Sequence, residues 1–143
     1  MGELDGKVAI VTGAGRLRGI GRAAAVELAR LGADVVVTGT GRDPSTFPED
    51  EKAAGWRDIE SVSDLVKSGG RRCLPLVVDV TDASKVQDMI DRTVEEFGRV
   101  DILINNAAFA RGADRVPILD LSEELFQKVM DIKVTGTFLC TRA

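Results

Sequence analysis

The 143-residue chain contains no histidine and only two cysteines, Cys73 and Cys140. Two isolated thiols make no disulfide framework, and without histidine there is no cysteine–histidine cluster of the kind that binds zinc. No stretch approaches the roughly 20 apolar residues that a membrane span needs, and residues 1–7 lack the apolar core of a signal peptide. We therefore expect no metal, no membrane partner, and a cytoplasmic protein whose thiols are reduced and buried.

A surplus of positive charge is also missing. The net charge at pH 7 is −4, which argues against a nucleic-acid partner. Hydrophobic residues make up 44% of the chain and charged residues 29%, a balance typical of globular proteins. A chain of this length suits a single domain, so we expect residues 1–143 to form one.

The most informative feature that is present is a glycine-rich stretch at residues 12–21, TGAGRLRGIG. An apolar strand pattern precedes it and a helix pattern follows. Glycine allows positive φ angles and a close approach of ligand to backbone. A helix N-terminus adds unpaired N–H groups and a partial positive charge. The stretch therefore predicts a site for the diphosphate of a dinucleotide, with a plain tight turn as the alternative.

The rest of the chain alternates between strand and helix patterns. Strands are predicted at residues 7–12, 34–38, 73–78 and 100–104, and helices at 19–31, 59–68, 81–97 and 122–143. Such alternation predicts parallel βαβ units, and right-handed crossovers favour a doubly wound sheet. The expected fold class is thus α/β, a Rossmann-type parallel sheet in three αβα layers. Its ligands would bind at the carboxyl ends of the strands.

One segment interrupts this rhythm. Residues 39–56 contain two prolines and an acidic run, and we predict a long surface loop with at most one helical turn. Loops of this length are often functional, and disorder is the alternative. Pro75 places the third strand at an edge of the sheet.

Apolar periodicity indicates which helix faces point to the core. In the first helix the predicted core residues are Ile20, Ala24, Leu28 and Leu31. In the helix at 81–97 they are Val86, Met89, Ile90, Val94 and Phe97. The last helix, with Ser122 as its N-cap, has two apolar stripes and is therefore deeply buried or at an interface. The stripes are Leu125, Val129, Ile132, Gly136 and Leu139 on one side and Phe126, Met130, Val134 and Phe138 on the other.

Three motifs in order resemble the short-chain dehydrogenase/reductase family. They are the glycine loop at 12–21, Asp79-Val80 after the third strand, and Asn105-Asn106-Ala107 after the fourth. The family carries T-G-x-x-x-G-x-G and N-N-A-G at the first and last of these places. The resemblance covers the whole chain. It implies an enzyme that moves hydride between NAD(P) and a small-molecule alcohol or carbonyl substrate.

The resemblance also implies a role for each matching residue. Glycines of the loop would line the pyrophosphate with Ile20 against the cofactor, and Asp79 would accept a hydrogen bond from adenine. Asn106 and Ala107 would lie near the nicotinamide ribose, and Asn105 would stabilise strand positions. The expected cofactor-binding residues are Gly13, Gly15, Arg18, Gly19, Ile20, Gly21, Arg42, Asp79, Val80, Asn106, Ala107 and Ala108. Alternatively, Asp79 caps the next helix and the asparagines are ordinary turn residues.

The chain departs from the family pattern at three positions. Five residues instead of three separate Gly13 from Gly19, which enlarges the loop. Ala108 stands where the family has glycine. Lys133 stands where the family has an asparagine that holds a water of the proton relay, unless it is only a solvated surface charge.

The family's catalytic Ser and Tyr-x-x-x-Lys lie downstream of this stretch, and the chain contains no tyrosine. Because the tyrosine phenol is the general acid/base, we expect no catalytic residue in this chain. It resembles the N-terminal, cofactor-binding half of such an enzyme, inactive by itself. The fourth strand would be an exposed apolar edge. We expect further residues, a complementing polypeptide or a homo-oligomer to complete it through helix 122–143.

Charge near the second strand bears on the choice of cofactor. No carboxylate falls at the immediate strand end, whereas Arg42 and Arg18 lie nearby, which favours NADP(H). Asp43 is a carboxylate in the same turn, so NAD(H) remains the alternative cofactor. A non-catalytic dinucleotide-binding module and a structural subunit remain alternatives. The loop at 109–121, with Phe109, Arg111, Pro117 and Leu119, would border the substrate.

Overall fold

The computed structural model describes residues 2–109 and 112–143. Its strands are β1 (Val8–Val11), β2 (Asp34–Gly39), β3 (Cys73–Val77) and β4 (Ile102–Ile104). They form one parallel sheet in the order β3-β2-β1-β4. The strand order therefore reverses at β1, so the carboxyl ends of β1 and β4 form a topological switch point. The predicted Rossmann-type fold is confirmed, with β3 at an edge of the described sheet.

Six α-helices surround the sheet in the described residues. They are α1 (Ile20–Arg30), α2 (Glu49–Ala53), α3 (Ile59–Ser68), α4 (Ala83–Phe97), α5 (Glu123–Met130) and α6 (Gly136–Arg142). A π-helical turn, Asp131–Thr135, joins α5 to α6, and 3₁₀ turns lie at Pro44–Thr46 and Ile118–Asp120. Among the described residues no helix is long and apolar enough to span a membrane.

Helix ends follow local sequence signals. The Asp82 side chain accepts hydrogen bonds from the backbone N–H groups of Ser84 and Lys85 at the start of α4. Gly98 ends that helix at a φ of 81°, a left-handed angle that glycine adopts without strain. Ser122 caps α5 by accepting from Leu125 N, as the sequence predicts.

The sheet separates two apolar cores, because successive strand side chains point to opposite faces. Val35 and Val37 of β2 pack with α1 and α3, and Val36 between them packs with α4 and α6. All three valines are fully buried. The result is the expected three-layer αβα arrangement, with Cys73 on one side and Cys140 on the other.

The predicted core face of α1 is wrong at Ile20. That side chain is 81% exposed, and the buried residues are Gly21, Ala25 and Ala29. The physical reason is close packing: a Cβ on Gly21 would lie 2.5 Å from Asn106 Nδ2, so only small residues fit this face. The larger Ile20, one position earlier, is turned away from the sheet.

The predicted core face of α4 is wrong at Val94, which is 45% exposed. Thr93 is buried instead, beside Val86 and Met89. The Thr93 hydroxyl donates to the Met89 carbonyl at 2.7 Å. Because this bond satisfies the hydroxyl inside the helix, threonine can occupy a core position that periodicity of apolar residues alone misses.

Residues 39–56 contain the predicted helical turn, α2, but they are not only a surface loop. Phe47 and Glu51 are buried. The segment leaves β2, turns through Pro44–Thr46 and α2, and contacts the glycine loop through Glu51 and Trp56 before α3 begins. Residues 39–58 therefore form a wall beside the carboxyl end of β2.

The two apolar stripes of the last helix have different surroundings. Gly136 is buried and Ile132 and Leu139 are partly buried against the α4 side of the sheet. The second stripe is exposed; its members are Phe126, Met130, Val134 and Phe138.

Candidate functional site

A cleft of about 1030 Å³ opens where the carboxyl ends of the strands meet. The glycine loop and the residues that follow β2, β3 and β4 line it. Of the cofactor-binding residues expected from the sequence, all except Gly21 line this cleft. Gly21 is buried directly beneath the loop, against Ala14 and Asn106.

The glycine loop leaves room at its centre because side chains are excluded there. Gly13 has a φ of 64°, and a Cβ on it would lie 2.7 Å from the Ala107 Cα. Gly19 is the N-cap of α1, and no side chain caps the helix. The first turn of α1 carries no acidic residue. The helix therefore presents its first N–H groups and their partial positive charge without a competing protein anion.

Thr12 and Asn106 join the ends of β1 and β4. The Thr12 hydroxyl accepts from the backbone N–H groups of Asn106 and Ala107, each at 3.1 Å. Asn106 Nδ2 donates to the carbonyl oxygens of Thr12 and Gly13, at 3.1 and 2.9 Å. The strand-stabilising role expected for Asn105 thus belongs to Asn106, and Asn105 instead donates to Thr141 Oγ1 in α6.

Asp79 lies at the cleft after β3. Its Oδ1 accepts from the backbone N–H and the hydroxyl of Thr81. The alternative that Asp79 caps the next helix is wrong, because Asp82 holds that position. The other carboxylate oxygen of Asp79 makes neither of these bonds and is available as an acceptor at the cleft.

The enlarged glycine loop is held by residues from the wall beside β2. Leu17 N donates to Glu51 Oε1 at 3.0 Å, and Trp56 Nε1 donates to the Gly15 carbonyl at 2.6 Å. Arg18 pairs with Asp50 at 2.9 Å, on the exposed rim. The sequence reasoning missed Glu51 and Trp56, because their partners lie more than 30 residues away. The one sequence signal for these contacts was the acidic run at residues 49–51 within the long segment 39–56.

Arg42 is enclosed by two carboxylates. Its Nη1 donates to Glu51 Oε2 at 3.0 Å, and its Nη2 donates to Asp58 Oδ1 at 2.7 Å. The guanidinium also lies over the Phe47 ring, 4.5 Å from the centroid. Burial alone would lower the pKa of Arg42, but the hydrogen bonds with Glu51 and Asp58 outweigh it and raise the pKa. The guanidinium therefore stays charged within the wall.

At the other end of the cleft lie Phe109, Arg115 and Lys128. Lys128 Nζ lies 5.6 Å from the centre of the Phe109 ring. Arg111 lies outside the described residues. Pro117 and Leu119 do not line the cleft, and Leu119 is 94% exposed.

Lys133 lies in the π-helical turn and is exposed, while its neighbours Asp131 and Ile132 line the cleft. Its carbonyl accepts from the Thr137 hydroxyl. Gly136 lets this helix approach the cleft floor, because a Cβ there would lie 2.6 Å from Val80 Cγ2.

Both thiols are free and buried. Burial raises the pKa of Cys73 to about 11 and also raises the pKa of Cys140, so neither is an activated nucleophile. In residues 2–109 and 112–143, no group of three histidine, cysteine, aspartate or glutamate side chains is arranged to hold a metal ion.

A family model described as enoyl-(acyl carrier protein) reductase matches residues 13–143. A short chain dehydrogenase/reductase of Aspergillus oryzae is 40% identical over 140 residues, which cover 98% of this chain and 47% of the relative.

Solved structures agree in fold. A short chain dehydrogenase from Mycobacterium paratuberculosis bound to NAD has a TM-score of 0.81 and 35% identity, over 99% of this chain and 50% of that one. Carveol dehydrogenase from Mycobacterium avium in complex with NAD has a TM-score of 0.80 and 30% identity, over 99% of this chain and 49% of that one. The chain spans about half the length of the relatives it matches.

Proposed function

Because this chain belongs to the short-chain dehydrogenase/reductase family, we propose that it is the cofactor-binding half of an oxidoreductase. The reaction is hydride transfer between a nicotinamide dinucleotide and an alcohol or carbonyl substrate. The observation that carries the proposal is the cleft at the switch point, whose floor excludes side chains at Gly13 and Gly21. Because no side chain occupies these positions, a diphosphate can approach the backbone N–H groups closely.

Different residues of this chain would bind different parts of the cofactor. The N–H groups from Gly19 onward would bind the diphosphate, with exposed Ile20 packing against the ligand. Asp79 would accept from the adenine amino group through its available oxygen, and Val80 would contact the ring. Backbone of Asn106, Ala107 and Ala108 would border the nicotinamide ribose, and when bound the nicotinamide supplies or accepts the hydride.

The proton for this reaction has no donor of the family's type in the chain. The family's acid/base is a tyrosine, and none is present. We propose that residues 1–143 alone bind dinucleotide without turnover, and that the catalytic groups come from further residues or a partner. Lys133 is exposed, beside the cleft-lining residues Asp131 and Ile132. A cytoplasmic location belongs to the same proposal.

The exposed stripe on α5 and α6 supports a partner there. Phe126, Met130, Val134 and Phe138 lie along one helical side, and each is more than one-third exposed. Monomeric proteins rarely leave such a contiguous apolar patch open to water. We propose a second copy, or a complementing polypeptide, on this side.

Ile20→Glu tests the binding site. Because Ile20 is 81% exposed, the change costs little folding energy, yet it places a carboxylate where the diphosphate would bind. Calorimetric titration with NAD⁺ and NADP⁺ is expected to show at least about tenfold weaker binding, or about 1.4 kcal/mol. Val26→Glu, on the exposed side of the same helix, is the matched control and should change binding less than about twofold.

Failure of the well-folded wild-type protein to bind either dinucleotide would overturn the proposal. Binding without turnover in the intact protein, with every candidate alcohol and carbonyl, would instead favour the second candidate, a non-catalytic binding module. The absence of tyrosine is the observation that keeps this candidate open.

A further inference from the structure

The wall beside β2 carries chemistry that the cofactor motifs do not explain. Glu51 and Asp58 both line the cleft next to the end of β2, although they lie well beyond it in sequence. Their side chains are 3% and 11% exposed. Arg42 lies between them and is 16% exposed. A family pattern that looks for a carboxylate at the strand end itself does not find these residues.

Arg42 has little capacity left for another anion. Its Nε and Nη2 both donate to Asp58 Oδ1, at 3.1 and 2.7 Å. Its Nη1 and Nη2 donate to the two oxygens of Glu51, at 3.0 and 3.3 Å. One positive charge faces two negative charges, so the cluster carries a net negative charge at the cleft. A ligand phosphate would have to displace two fixed carboxylates to reach this guanidinium.

The carboxylates are fixed by contacts outside the cluster. Glu51 also accepts from Leu17 N, which ties it to the glycine loop. A Cβ on Gly15 would lie 2.1 Å from Asp58 Oδ1, so this oxygen rests directly on the loop backbone. Glu51 therefore cannot withdraw from Arg42 without losing its bond to the loop, and Asp58 packs against the same loop.

Asp58 has an unusual conformation for its position. It is the N-cap of α3, where aspartate ordinarily accepts from the helix N–H groups, but its side chain makes no cap hydrogen bond. Its φ is 58°, the one positive φ of a non-glycine residue in the described chain. The side chain is instead directed at Arg42 through Oδ1, which leaves Oδ2 as an acceptor near Gly39.

We propose that Asp58 is the residue that recognises the adenosine ribose, and that the Arg42–Glu51–Asp58 cluster selects NAD(H) over NADP(H). This inference rests on the proposed function and reverses the cofactor preference expected from the sequence. Asp58 Oδ2 accepts from a ribose hydroxyl. A 2′-phosphate is repelled, because it brings about two negative charges to a corner that is already negative.

Arg16 and Arg18 are the competitors for a 2′-phosphate, because both line the cleft and both are exposed. The Arg18 side chain is 82% exposed, and its pair with Asp50 is at the surface, where such pairs contribute little. Arg18 can therefore turn toward a ligand with little loss of folding free energy. A test has to distinguish two ways of binding a 2′-phosphate: Arg18 turning toward it, or Arg42 leaving Glu51 and Asp58 to bind it.

Calorimetric titration of the wild-type protein with NAD⁺ and NADP⁺ tests the inference directly. We expect NAD⁺ to bind at least about tenfold more tightly, as loss of a hydrogen bond to a charged group would produce. Equal binding, or tighter binding of NADP⁺, overturns the inference and leaves the proposed function intact. Binding of neither dinucleotide is a failure of the proposed function itself.

Asp58→Asn identifies the residue responsible. Asparagine has nearly the same shape as aspartate, so the backbone is expected to keep the φ of 58° and ψ of −132° that Asp58 already adopts. The ratio of NAD⁺ to NADP⁺ affinity should fall at least about fivefold, mainly through weaker NAD⁺ binding. Asp64→Asn is the matched control, because Asp64 pairs with Arg57 on the exposed side of α3; it should leave the ratio unchanged. An unchanged ratio in Asp58→Asn overturns the assignment.

Two arginine variants complete the test. Arg18→Gln should not change the ratio, and a selective loss of NADP⁺ binding in it would overturn the inference. Arg42→Met should not selectively weaken NADP⁺ binding, because Arg42 is already paired. If Arg42→Met does not fold, Arg18→Gln and Asp58→Asn still decide between the outcomes.

Discussion

Trp56 Nε1 donates a hydrogen bond to the carbonyl oxygen of Gly15 at 2.6 Å, across 41 residues of sequence. With the bond from Leu17 N to Glu51, it fastens the enlarged glycine loop to the wall beside β2. The insertion that departs from the family spacing is therefore not a free loop. Its shape depends on residues from a segment that the spacing does not include.

Trp56→Phe should loosen this attachment. The ring remains, but the Gly15 carbonyl loses its donor, which costs about 1 kcal/mol. We expect dinucleotide affinity to fall about threefold to tenfold, measured by calorimetry, with a small decrease in Tm. Ser68→Ala removes an exposed side-chain bond to the Leu65 carbonyl and is the control. Equal affinities for both variants would contradict a role of Trp56 in shaping the site.

Met89→Ala should destabilise the whole domain. Met89 is fully buried between α4 and the sheet, so truncation leaves a cavity and costs about 2–5 kcal/mol of unfolding free energy. Val94→Ala, at the position that is 45% exposed, should cost well under half of that. Urea denaturation measures both values. A larger effect at Val94 would contradict the observed orientation of α4.

Stability should fall as the pH rises from about 8.5 toward 11, in part because of Cys73. Burial raises the pKa of this thiol to about 11, whereas an unfolded cysteine loses its proton near pH 8.5. In that window the unfolded state binds fewer protons than the folded state, so alkaline pH favours unfolding. Cys73→Ala should show a smaller slope of unfolding free energy against pH. Parallel slopes for the two proteins would contradict this contribution.

Val134→Glu should disrupt association through the exposed stripe. Val134 is 56% exposed, so the change should alter Tm by only a few degrees, yet it places a charge within an apolar surface. We expect the wild-type protein to be a dimer or larger by light scattering and the variant to shift toward monomer. Val26→Glu on α1 is the control for added charge. A wild-type protein that is monomeric at high concentration would exclude the homo-oligomer.

Local patterns were sufficient for most elements and for the position of the cleft. The strands, the Gly98 helix end and the Ser122 cap depend on neighbours in sequence, and the structure confirms them. Periodicity failed at Ile20 and Thr93 for two different reasons. At Ile20 the closeness of α1 to the sheet decided which residues face inward, and at Thr93 a hydrogen bond within the helix allowed a polar residue into the core.

By itself, the sequence determined that a parallel αβα domain forms and that its glycine loop lies at the switch point, because these depend on short-range patterns and on chirality. Only the tertiary structure decided what surrounds that loop. The sequence shows Arg42 as a cation near the end of β2. In the folded protein Glu51 and Asp58 lie beside Arg42, and both form ion pairs with it. The charge available to a ligand depends on distances in space, and those distances are not contained in residue spacing.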